Sequence, residues 1–319
     1  MTPGLRGRLT RLGLGGHEFL PDGSARGFNE DFRRATTAGY VWPGFGGPAR
    51  RAVVAAAVAE GINLFDATID AEKDALGRNL AAVAPPQAVY IQTRPEGMVY
   101  ENNPNDPFNT GLADWTRLRA EVERIRGLLR RPCVDVLNLG FRRAALEHDP
   151  EFLAKVADNI ARLKTEGLIR WASADTFSGE ALYLEAIATG AFDSLFINFN
   201  VADEAPARAV LPAAAAAGMA VHVREAFGKG ALFRLAADAG IMDRAAVARA
   251  AVRWILSHAE ISTLVVGAGT SAELANAVRA ANAPEPDADD RALLDRLRAS
   301  PGFRDLATRK SRDFAAGWQ

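Results

Sequence analysis

Short apolar runs rich in Val, Ile, Leu and Phe alternate along this chain with longer, Ala-rich stretches whose apolar residues recur every three or four positions. The short runs are RLTRLGLGG (8–16), INLFDA (62–67), AVYIQT (88–93), VDVLNLG (134–140), IRWASA (169–174), SLFINFN (194–200), AVHVRE (220–225) and STLVVGA (262–268). Such runs, apolar over most of their length, are the mark of strands buried on both faces. The stretches at 49–61, 151–167 and 245–260 have helical period and often end near Gly. Eight strand–helix alternations without a long linker predict one α/β domain over residues 1–319: a (β/α)8 TIM barrel, closed so that no strand edge is exposed. Two connections, 18–48 and 94–112, exceed the usual length of about two to six residues. Both follow strand C-termini and so belong over the face where barrels do chemistry. The segment from Asp290 to Gln319 starts as an amphipathic helix and ends in a Trp-bearing tail.

Composition narrows the class of ligand. At 319 residues and 49% hydrophobic content the chain can bury a large core. Its 38 basic and 39 acidic residues are interspersed, which argues against a nucleic-acid partner and leaves a small-molecule substrate. Cys133 is the only cysteine, so an intramolecular disulfide or a cysteine metal cluster is excluded, and its place in an apolar run reads as packing. No pair of histidines has metal-ligand spacing, and no metal is expected. No run approaches the roughly 20 apolar residues of a membrane span, so the expected location is cytoplasmic, with no membrane partner.

In a barrel the last residues of each strand point at the active site. Here they are His17 and Glu18, Asp66, Arg94 and Glu96, Gly140 and Arg142, Asp175, Asn198 and Asn200, Arg224 and Glu225, then Gly267. This set is far more polar than the strands that deliver it, and buried charge is costly unless paired or working. Asp66, Asp175 and Glu225 are candidate acid–base groups, and Arg94 and Arg224 candidate clamps for a carboxylate, phosphate or sugar oxygen. The competing reading is mutual neutralisation that merely stitches the mouth. His17 ends a strand and is a candidate contact to substrate, whereas His222, His258 and His148 read as structural. Few aromatics besides Phe199 and Phe227 stand at the expected mouth, which favours a sugar or hydroxy acid.

The chain resembles the aldo/keto reductase superfamily from about Leu9 to Asn282. The stretches that carry the likeness are LGLGG (12–16), GINLFDAT with ALG (61–68, 75–77), LKTEGLIRWASADTFS (163–178), GKGALF (228–233) and AVRWILSHAEISTLVVGAGTSAEL (251–274). The resemblance implies a barrel that reduces carbonyls with NADP or NAD, using an Asp, Tyr, Lys and His constellation. Asp66 matches that aspartate. Ala71 or Glu72 stands where the tyrosine belongs, Arg94 at the lysine and Gly140 at the histidine. An arginine is not a proton relay at neutral pH, although it can hold an oxyanion.

At the cofactor positions implied by the family, Asp175 and Thr176 replace a Ser-Asn pair, Asn198 a glutamine, Arg224 an aromatic and Glu225 a serine. The turn GAGTSAELANA keeps the phosphate-binding shape, with Gly267, Gly269, Thr270, Ser271 and Asn276 as cofactor candidates and Glu273 where an arginine is usual. Three readings follow. One is an atypical nicotinamide-dependent oxidoreductase, in which Arg94, Tyr40 or Tyr100 replaces the missing acid. The second is a non-redox lyase, dehydratase, epimerase or hydrolase using Asp66, Asp175 and Glu225. The third is a catalytically silent binding protein. The substrate-contact set is His17, Tyr40, Glu96, Tyr100, Arg142, Asn200 and Arg224.

Overall fold

All eight expected strands form. They are β1 (Leu12–Leu14), β2 (Leu64–Ala67), β3 (Tyr90–Thr93), β4 (Val134–Phe141), β5 (Ile169–Thr176), β6 (Ser194–Asn198), β7 (Ala220–Arg224) and β8 (Thr263–Val266). In the computed structural model they pair in parallel in chain order, and β8 returns to β1 to close the barrel. The structure describes residues 4–20, 23–95, 98, 106, 108–176 and 179–317. The helices are α1 (Phe32–Ala35), α2 (Pro48–Ala59), α3 (Asp70–Val83), α4 (Trp115–Leu129), α5 (Arg143–His148), α6 (Phe152–Thr165), α7 (Gly179–Ala188), α8 (Val210–Ala216), α9 (Ala231–Asp238), α10 (Arg244–Leu256), α11 (Ser271–Asn282), α12 (Ala288–Arg298) and α13 (Pro301–Ala316).

Local chemistry sets the helix starts. Asp114 and Asp243 accept from backbone N–H groups at the heads of α4 and α10, Pro48 opens α2, and α11 and α12 begin with reciprocal capping boxes. Val53, Val54 and Val58 of α2 and Leu118, Val122 and Ile125 of α4 pack with the strands in one core, while Leu294 and Leu297 of α12 join α9 and α10 in a second. None of the described helices is long and apolar enough to cross a membrane.

The first strand is shorter than its apolar run. Only Leu12–Leu14 pairs as strand, and before it the Arg11 side chain donates to the carbonyls of Ile261 and Leu256. The long connection after it carries α1 and is pinned to α3, where Asp70 accepts from the Gly39 amide at 2.6 Å and pairs with the buried Lys73 at 2.9 Å. The C-terminal segment forms two helices, α12 and α13. Register then decides which strand ends meet: Asp66 lies against Gln92, Gly140 against Asp175, and Asn198 against Arg224.

Candidate active site

Four charges interlock across the mouth of the barrel. Arg94 Nη2 donates to both oxygens of Asp66, at 3.1 and 3.2 Å, and its Nη1 lies 3.7 Å from Asp175. Arg224 grips Asp175 with two parallel bonds of 2.5 and 2.7 Å, while its Nε donates to Asn198 Oδ1 at 2.7 Å. Asn138 Nδ2 adds a third donor to Asp175, and Gln92 Nε2 donates to Asp66. Both guanidinium groups lie over the ring of Phe196, 5.2 and 4.5 Å from its centre. Two arginines and two aspartates cancel in charge, and Asp66, Arg94 and Asp175 are all buried. Burial draws the Arg224 pKa down, but Asp175 outweighs it by charge and hydrogen bond, and the net shift is upward.

Asp66, Arg94, Asp175, Asn198 and Arg224 therefore come together as strand-end geometry predicts. Glu225 does not join them. Its backbone sits at φ 59°, in the left-handed region, so the chain leaves β7 sharply and the carboxylate turns outward to Lys229 and Lys310, at 3.4 and 3.8 Å. Both the Asp66 and the Asp175 carboxylates are engaged by guanidinium groups. Together these residues make an electrostatic floor.

His17 stands in a different setting, paired with a carboxylate on α3. Its Nδ1 lies 2.6 Å from Glu72 Oε1, and the Glu72 side chain is 1% exposed where that of His17 is 39% exposed. A carboxylate only accepts, so Nδ1 carries the proton, and Nε2 has no hydrogen-bond partner among the described residues. The second oxygen of Glu72 accepts from the Thr68 amide at 2.8 Å, which locks the carboxylate at the head of α3. Gly16 makes the approach possible: a Cβ there would lie 2.7 Å from both Asp66 O and Glu72 Oε2. Burial pulls the His17 pKa down, but the charge and hydrogen bond of Glu72 prevail and raise it above its ordinary 6.5. Burial pushes Glu72 up, and His17 more than offsets this, leaving it below 4.5. Asp66 and Arg94 also act on His17 electrostatically, with opposite signs, so the dyad borders the floor.

Phe19 and Phe28 meet the His17 ring edge-on at 6.4 and 5.2 Å. The surroundings of His17 are thus less uniformly polar than the strand-end residues suggest, because the connection after β1 supplies the aromatics. Tyr40 lies in the same connection, and its ring packs on Trp42 beneath Arg34. Arg142 caps α5 and Thr176 ends β5. Asn200 is occupied in holding the Glu225 carbonyl and the Ala202 amide. Glu96 and Tyr100 lie outside the described residues.

Along the β8 side of the mouth, a Cβ on Gly267 would lie 2.7 Å from the Phe19 ring, so that ring covers the glycine. The amides of Gly269 and Thr270 are satisfied by Glu273 Oε2, at 2.8 and 3.3 Å, and Asn276 is turned to the Ala245 carbonyl on α10. Ser271 opens α11. Next to this turn stands Arg50, which the strand-end rule does not reach because it sits on α2. Its guanidinium donates to the carbonyls of Gly15 and Ala268, with no carboxylate within ion-pair distance among the described residues, and burial lowers its pKa.

Solved structures with the same architecture include aldo-keto reductases. An aldo-keto reductase from Bacillus halodurans in its holo form is 17% identical, with a TM-score of 0.65 over 91% of this chain and 92% of that one. A glycerol dehydrogenase from Gluconobacter oxydans is 20% identical, with a TM-score of 0.65 and 94% coverage of both chains. An aldo/keto reductase from Klebsiella pneumoniae, solved with NADP and acetate, is 14% identical, with a TM-score of 0.61 over 92% and 93%. No family model and no curated protein matches the chain. The fold is that of the aldo-keto reductases, as the motif likeness implies.

Proposed function

We propose that this chain is a divergent oxidoreductase of the aldo/keto reductase type that interconverts a carbonyl and an alcohol on a small hydrophilic molecule, with His17 as the proton-transfer group. One observation carries the reading: a partly exposed imidazole held at 2.6 Å by a buried carboxylate, its second nitrogen without a hydrogen-bond partner among the described residues. The imidazolium donates from Nε2 to a carbonyl oxygen while Glu72 stabilises its charge, and in the reverse direction the neutral ring takes the proton of an alcohol. The role of the missing tyrosine passes to a residue of the first strand's loop. The neutral Asp–Arg floor orients the polar end of the substrate, and the edges of Phe19 and Phe28 suit an apolar C–H face.

A nicotinamide cofactor, when bound, supplies the hydride to such a carbonyl. Arg50 offers a half-buried cation beside the turn of Gly267–Ser271, which suits a phosphate. Among the described residues Asn198 commits its oxygen, to Arg224, and leaves its amide N–H groups for a carboxamide. The NADP in the Klebsiella structure and the glycerol dehydrogenase activity named for the Gluconobacter protein support this reading. A second reading, cofactor-free acid–base chemistry of the lyase, dehydratase, epimerase or hydrolase kind, is favoured by the Asp175–Arg224 clasp and by Glu273 on the turn amides.

Titration with NADPH and NADH, followed by nicotinamide fluorescence and thermal shift, separates the two. Binding in the micromolar range is expected, weakened roughly 10-fold or more in Arg50→Ala through loss of a charge-assisted contact. A protein that binds neither nucleotide up to millimolar concentration overturns the oxidoreductase reading in favour of the second.

A further inference from the structure

Below the charged floor the barrel interior is polar, at a level where barrels of this kind are filled by branched apolar side chains. Residues two apart on a strand share a face. Arg94, Asp175 and Arg224 meet across the barrel, so Gln92, Ser173 and His222 also point inward. Asn138 points in beside them, since it bonds Asp175, and Ser194 does so two residues before the Phe196 ring that underlies both arginines. All five of these polar residues are 0% exposed.

Four of them carry a polar atom with no partner among the described residues: Asn138 Oδ1, Ser173 Oγ, Ser194 Oγ and His222 Nε2. Asn138 lies against Ser173 and Ser173 against Ser194, so three of the four stand side by side on consecutive strands, about 5 Å apart. Unpaired buried polar atoms are rare, and several in one layer mark an interior that holds solvent.

We propose that this arc is a binding site for a cluster of ordered water molecules lying under Asp175 and reaching toward His222. The donor–acceptor inventory matches water. Gln92 gives its amide N–H to Asp66, so its oxygen accepts from His222 Nδ1, which fixes the tautomer and leaves Nε2 an acceptor. Burial lowers the His222 pKa to about 3, consistent with this neutral form. Asn138 spends its N–H on Asp175 and is likewise left with an acceptor. Two pure acceptors and two hydroxyls, which both donate and accept, are served together by water and by no apolar filling. The cluster hydrates the Asp–Arg floor from below and keeps those charges out of a fully apolar medium.

A crystal structure of the full chain, at a resolution that shows ordered solvent, tests the site. At least two waters are expected, each within hydrogen-bond distance of two of the four atoms, and a dry layer overturns the proposal. Where crystals do not show solvent, the sign of a stability change decides. Ser173→Ala and Ser194→Ala each remove a water anchor and are expected to lower Tm by about 1–3 °C. A rise in Tm in both variants means that each hydroxyl was an unrelieved desolvation penalty, and overturns the site.

Discussion

Replacement of His17 by Asn is expected to lower turnover by roughly 10²-fold or more while leaving the barrel folded. Asparagine keeps a polar group of similar reach but has no proton to exchange in the neutral range. The measurement is kcat on hydrophilic aldehydes such as glyceraldehyde, with near-wild-type Tm as the check that the loss is chemical. The residue is partly exposed and its ring contacts are edge-on, so a purely structural histidine here would cost little in rate. Undiminished turnover in His17→Asn would assign the dyad to architecture. Because the His17 pKa is raised, the wild-type reduction rate should hold through the ordinary histidine range and fall only as pH rises beyond it.

The largest expected loss of stability comes from Asp175→Ala. Asp175 is fully buried and is the shared counter-charge of two arginines, Arg224 through two short bonds and Arg94 at 3.7 Å. Removing one partner of a buried pair leaves charge uncompensated away from water, at a cost of about 3–5 kcal/mol. Pairing the change with Arg224→Met should recover much of that loss, since the double variant no longer strands the cation that Asp175 holds through two bonds. Denaturant unfolding reads both. An exposed pair such as Lys155 with Asp149 is the contrast, where screening by water leaves little to lose. A loss that small in Asp175→Ala would mean the floor is hydrated enough for its charges to do without one another.

The fold could be read from the alternation of apolar runs because a parallel strand buried on both faces has little choice of residue. The floor was readable for the same reason: a closed barrel directs every strand end to one place, so Asp66, Arg94, Asp175, Asn198 and Arg224 follow from topology. Glu225 departs because a left-handed backbone turns it outward, and nothing in a non-glycine residue announces that. Glu72 and Arg50 lie on helices, outside the strand-end rule. Glu72 meets a partner 55 residues away and Arg50 one 35 residues away, contacts that no local period encodes. Gly16 was the available hint, a glycine at the end of the first strand where a backbone approaches a carboxylate. Glu273 reads in sequence as an acid where a cation is usual, and only its capping geometry shows that it takes the turn amides for itself.

The dyad also ties stability to pH. A histidine whose pKa is raised on folding contributes stability in full below its unfolded value of 6.5 and loses it as pH rises through the folded value. A glutamate whose pKa is lowered contributes above 4.5 and loses that as pH falls through its folded value. The pair therefore supports the fold most between these two values. Histidine-selective NMR titration of the intact protein, wild type beside Glu72→Gln, measures the interaction itself. His17 should titrate above 6.5 in the wild type and move to lower pH in Glu72→Gln, where burial acts without the compensating carboxylate. A wild-type His17 that titrates at or below 6.5 and is unmoved by the substitution would contradict the dyad, and with it the proton donor on which the enzyme reading depends.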